Sequence, residues 1–410
     1  MLRPSFEVAD IVRGLRASLG PRLGGGLSRD QRRALSAIEA CRTARLGGHR
    51  NECEDCGHVA IAYNSCRNRH CPKCQAAAAH HWLEARQRDL LPVAYYHVVF
   101  TLPAAIADIA YANKRAVYGA LFKAVAETLQ IIGADPKHLG AKLGAVLVLH
   151  TWGSAMTHHP HIHGVVPCGG LSLDGTKWVD CRKRFFLPVR VLSRLFRRLM
   201  CERLERLHAA GALKFYGRHE ALAGKGAIAA LLKRERRRDW VVYAKRPFAG
   251  PQQVLAYLSR YTHRIAISNN RITGFDGTRV TFRVKNYRKD GSDRYGVMTL
   301  DAKEFMRRFL LHVLPASFHR IRHIGFLANT NRVDAVARIR KMLADRMPLC
   351  NAPGANDGQN DQEKIKETTP DHAICSCCGG RMIMVEIIPK NSVLDPPAIP
   401  PPQAPAIDSS

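Results

Sequence analysis

Three observations predict an α+β protein with a small metal-bound module at its N-terminal end. The first is a hairpin pattern at Leu149–Pro167 (LHTWGSAMTHHPHIHGVVP), preceded by the apolar run Leu143–His150. The second is Tyr95–Thr101 (YYHVVFT), an alternating stretch rich in β-branched and aromatic residues, flanked by long helical patterns. The third is a pair of Cys-x-x-Cys knuckles, Cys53/Cys56 and Cys71/Cys74, standing 14 residues apart. A chain of 410 residues has room for two or three domains and a sizeable core.

Taken in order, residues 5–47 read as helical, with Ser28 as N-cap of a helix that ends at Gly47-Gly48. The knuckles follow. Short Cys-x-x-Cys turns hold two thiolates at tetrahedral spacing, so Cys53, Cys56, Cys71 and Cys74 are expected to hold one structural Zn²⁺. Cys66 and His70 are an alternative pair, and Cys41 and His49 are left over. Arg67, Arg69 and Lys73 crowd this stretch with positive charge, which suits phosphate contact. A helix is expected over Gln75–Leu90, then the Tyr95–Thr101 strand, then a mostly helical Ile106–Ile132.

The hairpin comes next. Residues two apart on a strand share a face, so His161 and His163 aim two imidazoles at one point while Ile162 enters the core. Gly153 and Ser154 suggest the turn. Pairing across it would bring His150 to the same spot as a third ligand; His263 is the competing candidate. Three nitrogens on one face make a site for Mg²⁺, Mn²⁺ or a related ion with open positions for a phosphate.

Helices are expected at Leu187–Ala210 and Gly226–Arg238, both laden with arginine, and a strand at Trp240–Ala244. Pro251 opens a helix in which Tyr257 and Tyr261, four apart, leave one face, with Arg260 and Arg264 beside them. Strands are expected at Ile265–Thr273 and Arg279–Asn286, and a helix at Phe305–Leu314. His319–His323 (HRIRH) is a further basic stretch. Residues 351–371 read as a polar linker, and Cys375-Ser-Cys-Cys378 as half a knuckle whose partner would be Cys350 or His372. Pro396–Ser410 is Pro-rich and reads as disordered. The expected partition is a helical and zinc-binding domain over 1–90, a catalytic domain over 91–330, a helix and linker over 331–372, a C-terminal half knuckle over 373–386 and a tail over 387–410.

Charge narrows the function. Lys and Arg number 63 against 34 Asp and Glu, a formal +29, the balance of a polyanion binder. There is no 18-residue apolar run and no signal-peptide core, so a soluble bacterial protein of the cytoplasm, associated with the nucleoid, is expected. Cys-x-x-Cys pairs in such a compartment favour metal over disulfides. The absence of GxxxxGK[ST] excludes a P-loop nucleotide motor.

His-hydrophobic-His on a strand followed by a helical tyrosine pair resembles the HUH endonucleases. The blocks SCRNRHCPKCQ, HPHIHGVV, YLSRYTHR and RIRHIGFLAN together resemble the rolling-circle insertion sequence 91 family of transposases, from about Arg32 to Met382. The resemblance implies a central antiparallel sheet flanked by helices, His161 and His163 as metal ligands, and Tyr257 and Tyr261 as nucleophiles that form 5′-phosphotyrosine links to single-stranded DNA at element ends and to target DNA. Arg260 and Arg264 would then grip flanking phosphates. Plasmid replication initiators and relaxases share that chemistry but lack this arrangement. The histidine-triad nucleotide hydrolases share HPHIHGVV but need neither zinc knuckles nor tyrosines.

Overall fold

The computed structural model describes residues 4–19, 25–182, 185–224, 226–245, 264–286, 291–346 and 374–392. Tyr257, Arg260, Tyr261 and His263 lie outside the described residues, as do Cys350, His372, the polar linker and the Pro-rich tail. The elements, in chain order, are α1 (Val8–Leu19), α2 (Arg29–Ala40), β1 (Gly48–Cys53), β2 (Val59–Tyr63), α3 (Pro72–Gln87), β3 (Tyr95–Thr101), α4 (Ala104–Ala112) and α5 (Lys114–Ala134). There follow β4 (Ala141–Lys142), β5 (Ala145–Trp152), β6 (His158–Pro167), β7 (Gly169–Ser172), β8 (Trp178–Asp180), α6 (Val189–Ala209), α7 (Ala227–Arg236) and β9 (Val242–Lys245). The last are β10 (Ile272–Phe275), β11 (Arg279–Lys285), β12 (Tyr295–Asp301), α8 (Ala302–Leu311), β13 (Ile321–Ile324), α9 (Arg332–Ala344) and β14 (Met382–Ile388).

The chain divides into two compact units, each discontinuous: residues 1–39 with 68–357, and residues 40–67 with 358–410. The linear partition expected from composition differs from this division. Nothing local in the sequence announces that β14 pairs with β1, 382 with 53 and 388 with 48, across more than three hundred residues.

The first unit is built on a five-stranded sheet in the order β13-β5-β6-β3-β9, every neighbouring pair antiparallel. Strand alternation gives it two unlike faces. Tyr96, Val98, Phe100, Leu147, Leu149, Ile162 and Val166 pack on α4, α5 and α6 in the main core. The opposite parity carries His97, His150, His161 and His163. Val146 and Val148, on that same side, are covered by Phe326, Leu327 and the Val336/Ile339 face of α9. Gly164 sits on the helix-packed face, where a Cβ would stand 2.6 Å from Val98 Cγ2 and 3.2 Å from Leu147 Cδ2. Glycine there lets the core close over the middle strands.

The second unit is a three-stranded sheet, β14-β1-β2. Its buried apolar cluster is Cys53, Cys375 and Met382 with Ala60 against them. So small a core cannot offset the ordering entropy of the strands without help.

Some elements differ from the sequence reading. Ile265, Ala266 and Ile267 are buried but lie outside any strand, and pairing begins only at Ile272. Ala266 takes a left-handed φ of 59°, which breaks the extended run. The expected Ile106–Ile132 helix is two helices parted at Asn113, whose side-chain amide is engaged by the Lys214 backbone. The basic stretch at His319–His323 contributes an edge strand, β13, paired with β5.

Candidate metal centre

The register of β5 on β6 sets the site. His150 lies opposite His161 and Val148 opposite His163, so the three histidines fall on one face of the two middle strands. Their rings stand 5.4 Å (His150–His161), 4.2 Å (His150–His163) and 4.8 Å (His161–His163) apart, centroid to centroid. One nitrogen from each lies within 4.8 Å of the others. His150 is buried and stacks on Trp152 at 4.5 Å.

The hairpin tip is pinned. Gly153 N–H donates to the Thr157 carbonyl and Met156 N–H to the Gly153 carbonyl, both at 3.0 Å. Arg271 donates to the Ser154 carbonyl at 2.6 Å, and Lys285 N–H to Ser154 Oγ at the same distance. Behind the tip, the fully buried His312 bridges Thr151 Oγ1 and the Met156 carbonyl, each at 3.0 Å.

Two further hydrogen bonds set which nitrogen faces the site. His161 Nδ1–H donates to the His159 carbonyl at 2.6 Å, leaving Nε2 with its lone pair. His163 Nδ1 meets His97 Nε2 at 2.7 Å, the rings parallel within 2°. Burial holds His161, His97 and His163 neutral: it pushes His161 and His97 down to about 4, and His163 well below its ordinary range, with neighbouring histidines adding to the shift at His161 and His163 and Lys245 adding to it at His97. Neutral imidazoles that present a ring-nitrogen lone pair are what a divalent ion requires. The donor set therefore fits a metal.

Sequence reasoning missed His97. Its signal was its place in YYHVVFT, on the parity opposite Tyr96, Val98 and Phe100. That β3 lies beside β6, however, is a fact of the folded sheet alone.

The basic residues expected to meet phosphate part company. Arg69 donates to the Pro315 carbonyl at 2.6 Å and to that of Phe318, so its guanidinium clamps a loop of its own unit. Lys73 is ion-paired to Glu7 at 2.6 Å. Arg67 is exposed. His70 is not a free ligand: its Nε2 accepts from Leu314 N–H and its Nδ1 meets Asn68 Oδ1, both at 3.1 Å, and burial pushes it down to about 3. Arg264 offers its carbonyl to the buried Arg320 guanidinium at 3.0 Å, three positions after Tyr261.

The cysteines need a correction. The expected set divides between the two units, and Cys53 and Cys56 assemble with Cys375 and Cys378, giving the C-terminal half knuckle the partner that Cys350 or His372 was expected to supply. Cys71 and Cys74 belong to the other unit, at the N-terminal end of α3, and Cys66 N–H donates to Cys41 Sγ at 3.5 Å. Sequence spacing suggested the nearest pair; strand pairing chose a distant one.

This chain is similar to known proteins along nearly its whole length. A family model described as "Putative transposase" matches residues 144–334, and one described as "Transposase zinc-binding domain" matches residues 15–102. The protein named "Putative transposase y4qJ" of Sinorhizobium fredii (strain NBRC 101917 / NGR234) is 51% identical over 400 residues, 97% of this chain and 98% of that one. The chain belongs to the insertion sequence 91 family of transposases. The transposase for insertion sequence element IS801 of Pseudomonas savastanoi pv. phaseolicola is 27% identical over 392 residues, covering 89% of this chain and 85% of that one. Among solved structures, the conjugative relaxase TrwC with origin-of-transfer DNA aligns over 60% of this chain and 71% of its own, at 13% identity and a TM-score of 0.23. As a transposase of this family, the chain carries a five-stranded antiparallel sheet and, over residues 15–102, matches a zinc-binding domain. No helix among the described residues is long and apolar enough to cross a membrane.

Proposed function

We propose that this transposase nicks single-stranded DNA at the ends of its element and passes the strand to target DNA through a 5′-phosphotyrosine intermediate. The observation that carries the reading is the convergence of three imidazoles, His150, His161 and His163, on the middle strands of the sheet. Together they would hold a divalent ion; with no carboxylate among the donors, Mn²⁺ would bind more tightly than Mg²⁺. When bound, such an ion polarises the scissile phosphate and offsets its charge.

The nucleophile is a phenol oxygen of Tyr257 or Tyr261. A phenol with an ordinary pKa near 10 attacks poorly unless the phosphate is activated. Attack forms a tyrosine–phosphorus bond, releases the phenol proton and expels the 3′ oxygen, which leaves as a hydroxyl after taking a proton. One phosphoester replaces another, so no nucleotide hydrolysis is required. A second tyrosine allows a second strand to be cut while the first is held. The anchored Arg264 carbonyl supports a role for Arg264 beside the tyrosine segment, and the net charge of +29 supports affinity for the phosphate backbone in the cytoplasm and on the nucleoid. The matched zinc-binding region contains six cysteines, Cys41, Cys53, Cys56, Cys66, Cys71 and Cys74, a supply of thiolates that supports structural zinc in this family.

Incubating the full chain with labelled single-stranded element ends and Mn²⁺ should give a protein–DNA adduct that survives denaturation. Tyr257→Phe with Tyr261→Phe should remove it. An adduct of undiminished yield in that double variant would exclude these tyrosines as nucleophiles.

A further inference from the structure

We infer that Cys53, Cys56, Cys375 and Cys378 bind one structural Zn²⁺, so that the transposase's second unit is a zinc ribbon assembled from two distant parts of the chain. Half of this site lies beyond residues 15–102, the matched zinc-binding region.

The sulfur geometry comes first. Cys53 Sγ lies 3.4 Å from Cys378 Sγ, and Cys56 Sγ lies 3.7 Å from Cys375 Sγ. A disulfide would bring two sulfurs to about 2.05 Å. A tetrahedron with zinc–sulfur arms of about 2.3 Å has edges of about 3.8 Å, close to both distances.

The backbone around each pair is the same device used twice. Cys53 N–H donates to the His58 carbonyl at 3.0 Å; Cys375 N–H donates to the Gly380 carbonyl, five positions on in each case, at 2.8 Å. Gly57 N–H returns to the Cys53 carbonyl and Gly379 N–H to the Cys375 carbonyl, four positions on, both at 3.0 Å. Both glycines take a left-handed φ, 67° and 79°. In the second knuckle Cys377 N–H and Gly380 N–H point at Cys375 Sγ and Cys378 Sγ, at 3.3 and 3.4 Å, as amides do around thiolates. Gly380 packs where a Cβ would fall 3.1 Å from Cys53 Sγ, so the two knuckles close on each other.

The energetic need agrees. The β14-β1-β2 sheet buries too little apolar surface to stand alone, and a metal held by both knuckles supplies the missing folding free energy. Four thiolates leave no open coordination position, which makes the ion structural rather than catalytic.

The test reads zinc and does not depend on nicking. Full-length protein, purified reduced, is analysed for zinc per chain. Cys53→Ser with Cys56→Ser should lose one equivalent, Cys375→Ser with Cys378→Ser should lose one, and the quadruple variant should again lose only one. Cys377→Ser, between the ligands, should lose none. Loss of two equivalents in the quadruple variant, or none in the Cys375/Cys378 variant, overturns the shared site. Since these variants can misfold, the wild-type chain gives a second reading. Timed alkylation should label Cys377 fast and Cys375 and Cys378 slowly, and a zinc chelator should expose Cys53, Cys56, Cys375 and Cys378 together. Fast labelling of Cys375 and Cys378 in untreated protein refutes the site.

Discussion

The histidine sheet and the cysteine ribbon both gather metal-ligating side chains, by opposite routes. On the sheet, His150 and His161 are eleven positions apart, joined by one tight hairpin, and a large core behind them holds the strands whether or not an ion is present. In the ribbon, Cys56 and Cys375 are 319 positions apart and almost nothing apolar lies behind them. A site on a pre-built scaffold can leave coordination positions open for substrate. A site that is itself the scaffold must fill them all. On the proposed reading, a working ion and a structural one would differ in what packs behind their ligands.

That contrast can be broken most sharply by removing ligands. His161→Ala or His163→Ala should lower nicking of single-stranded DNA at least about a thousandfold, roughly 4 kcal/mol of barrier, with the melting of the sheet nearly unchanged. Loss of a ribbon cysteine should instead unfold its own unit, read by amide exchange over 48–63 and 382–388. If His161→Ala also unfolded the sheet, the scaffold would not be independent of the ligands.

A smaller effect is expected at the residue behind the ligands. His97→Phe removes the partner that fixes the His163 ring, and such partners typically carry about 10- to 100-fold in metal affinity. The Mn²⁺ concentration for half-maximal nicking should rise by that factor while DNA affinity holds. An unchanged titration would reduce His97 to packing.

The smallest effects separate the two units by their glycines. Gly164→Ala drives a methyl into Val98 and Leu147, and an overpacked core should cost about 1–3 kcal/mol in denaturant unfolding. Gly379→Ala meets nothing within 4 Å, so its cost is the left-handed φ alone, about 1 kcal/mol. Equal costs would mean that the sheet relaxes around position 164.

By itself the sequence determined a good deal. Strand alternation put His161 and His163 on one face, YYHVVFT gave β3 with the boundaries the structure has, and the charge balance pointed to DNA. The tyrosine pair was legible as a motif, on residues outside those described. These signals are local, carried by side-chain period and turn chemistry over ten or twenty residues. What only the tertiary structure decided is pairing. His97 became a neighbour of His163 because β3 lies against β6. Arg69 and Lys73 turned inward to a loop carbonyl and a glutamate, although their charge in the sequence suited phosphate. Cys53 and Cys56 took Cys375 and Cys378 over the nearer Cys71 and Cys74. Four thiols obey the same tetrahedral geometry whichever pairs supply them, so spacing cannot choose among knuckles. The backbone hydrogen bonds of β14 on β1 make that choice.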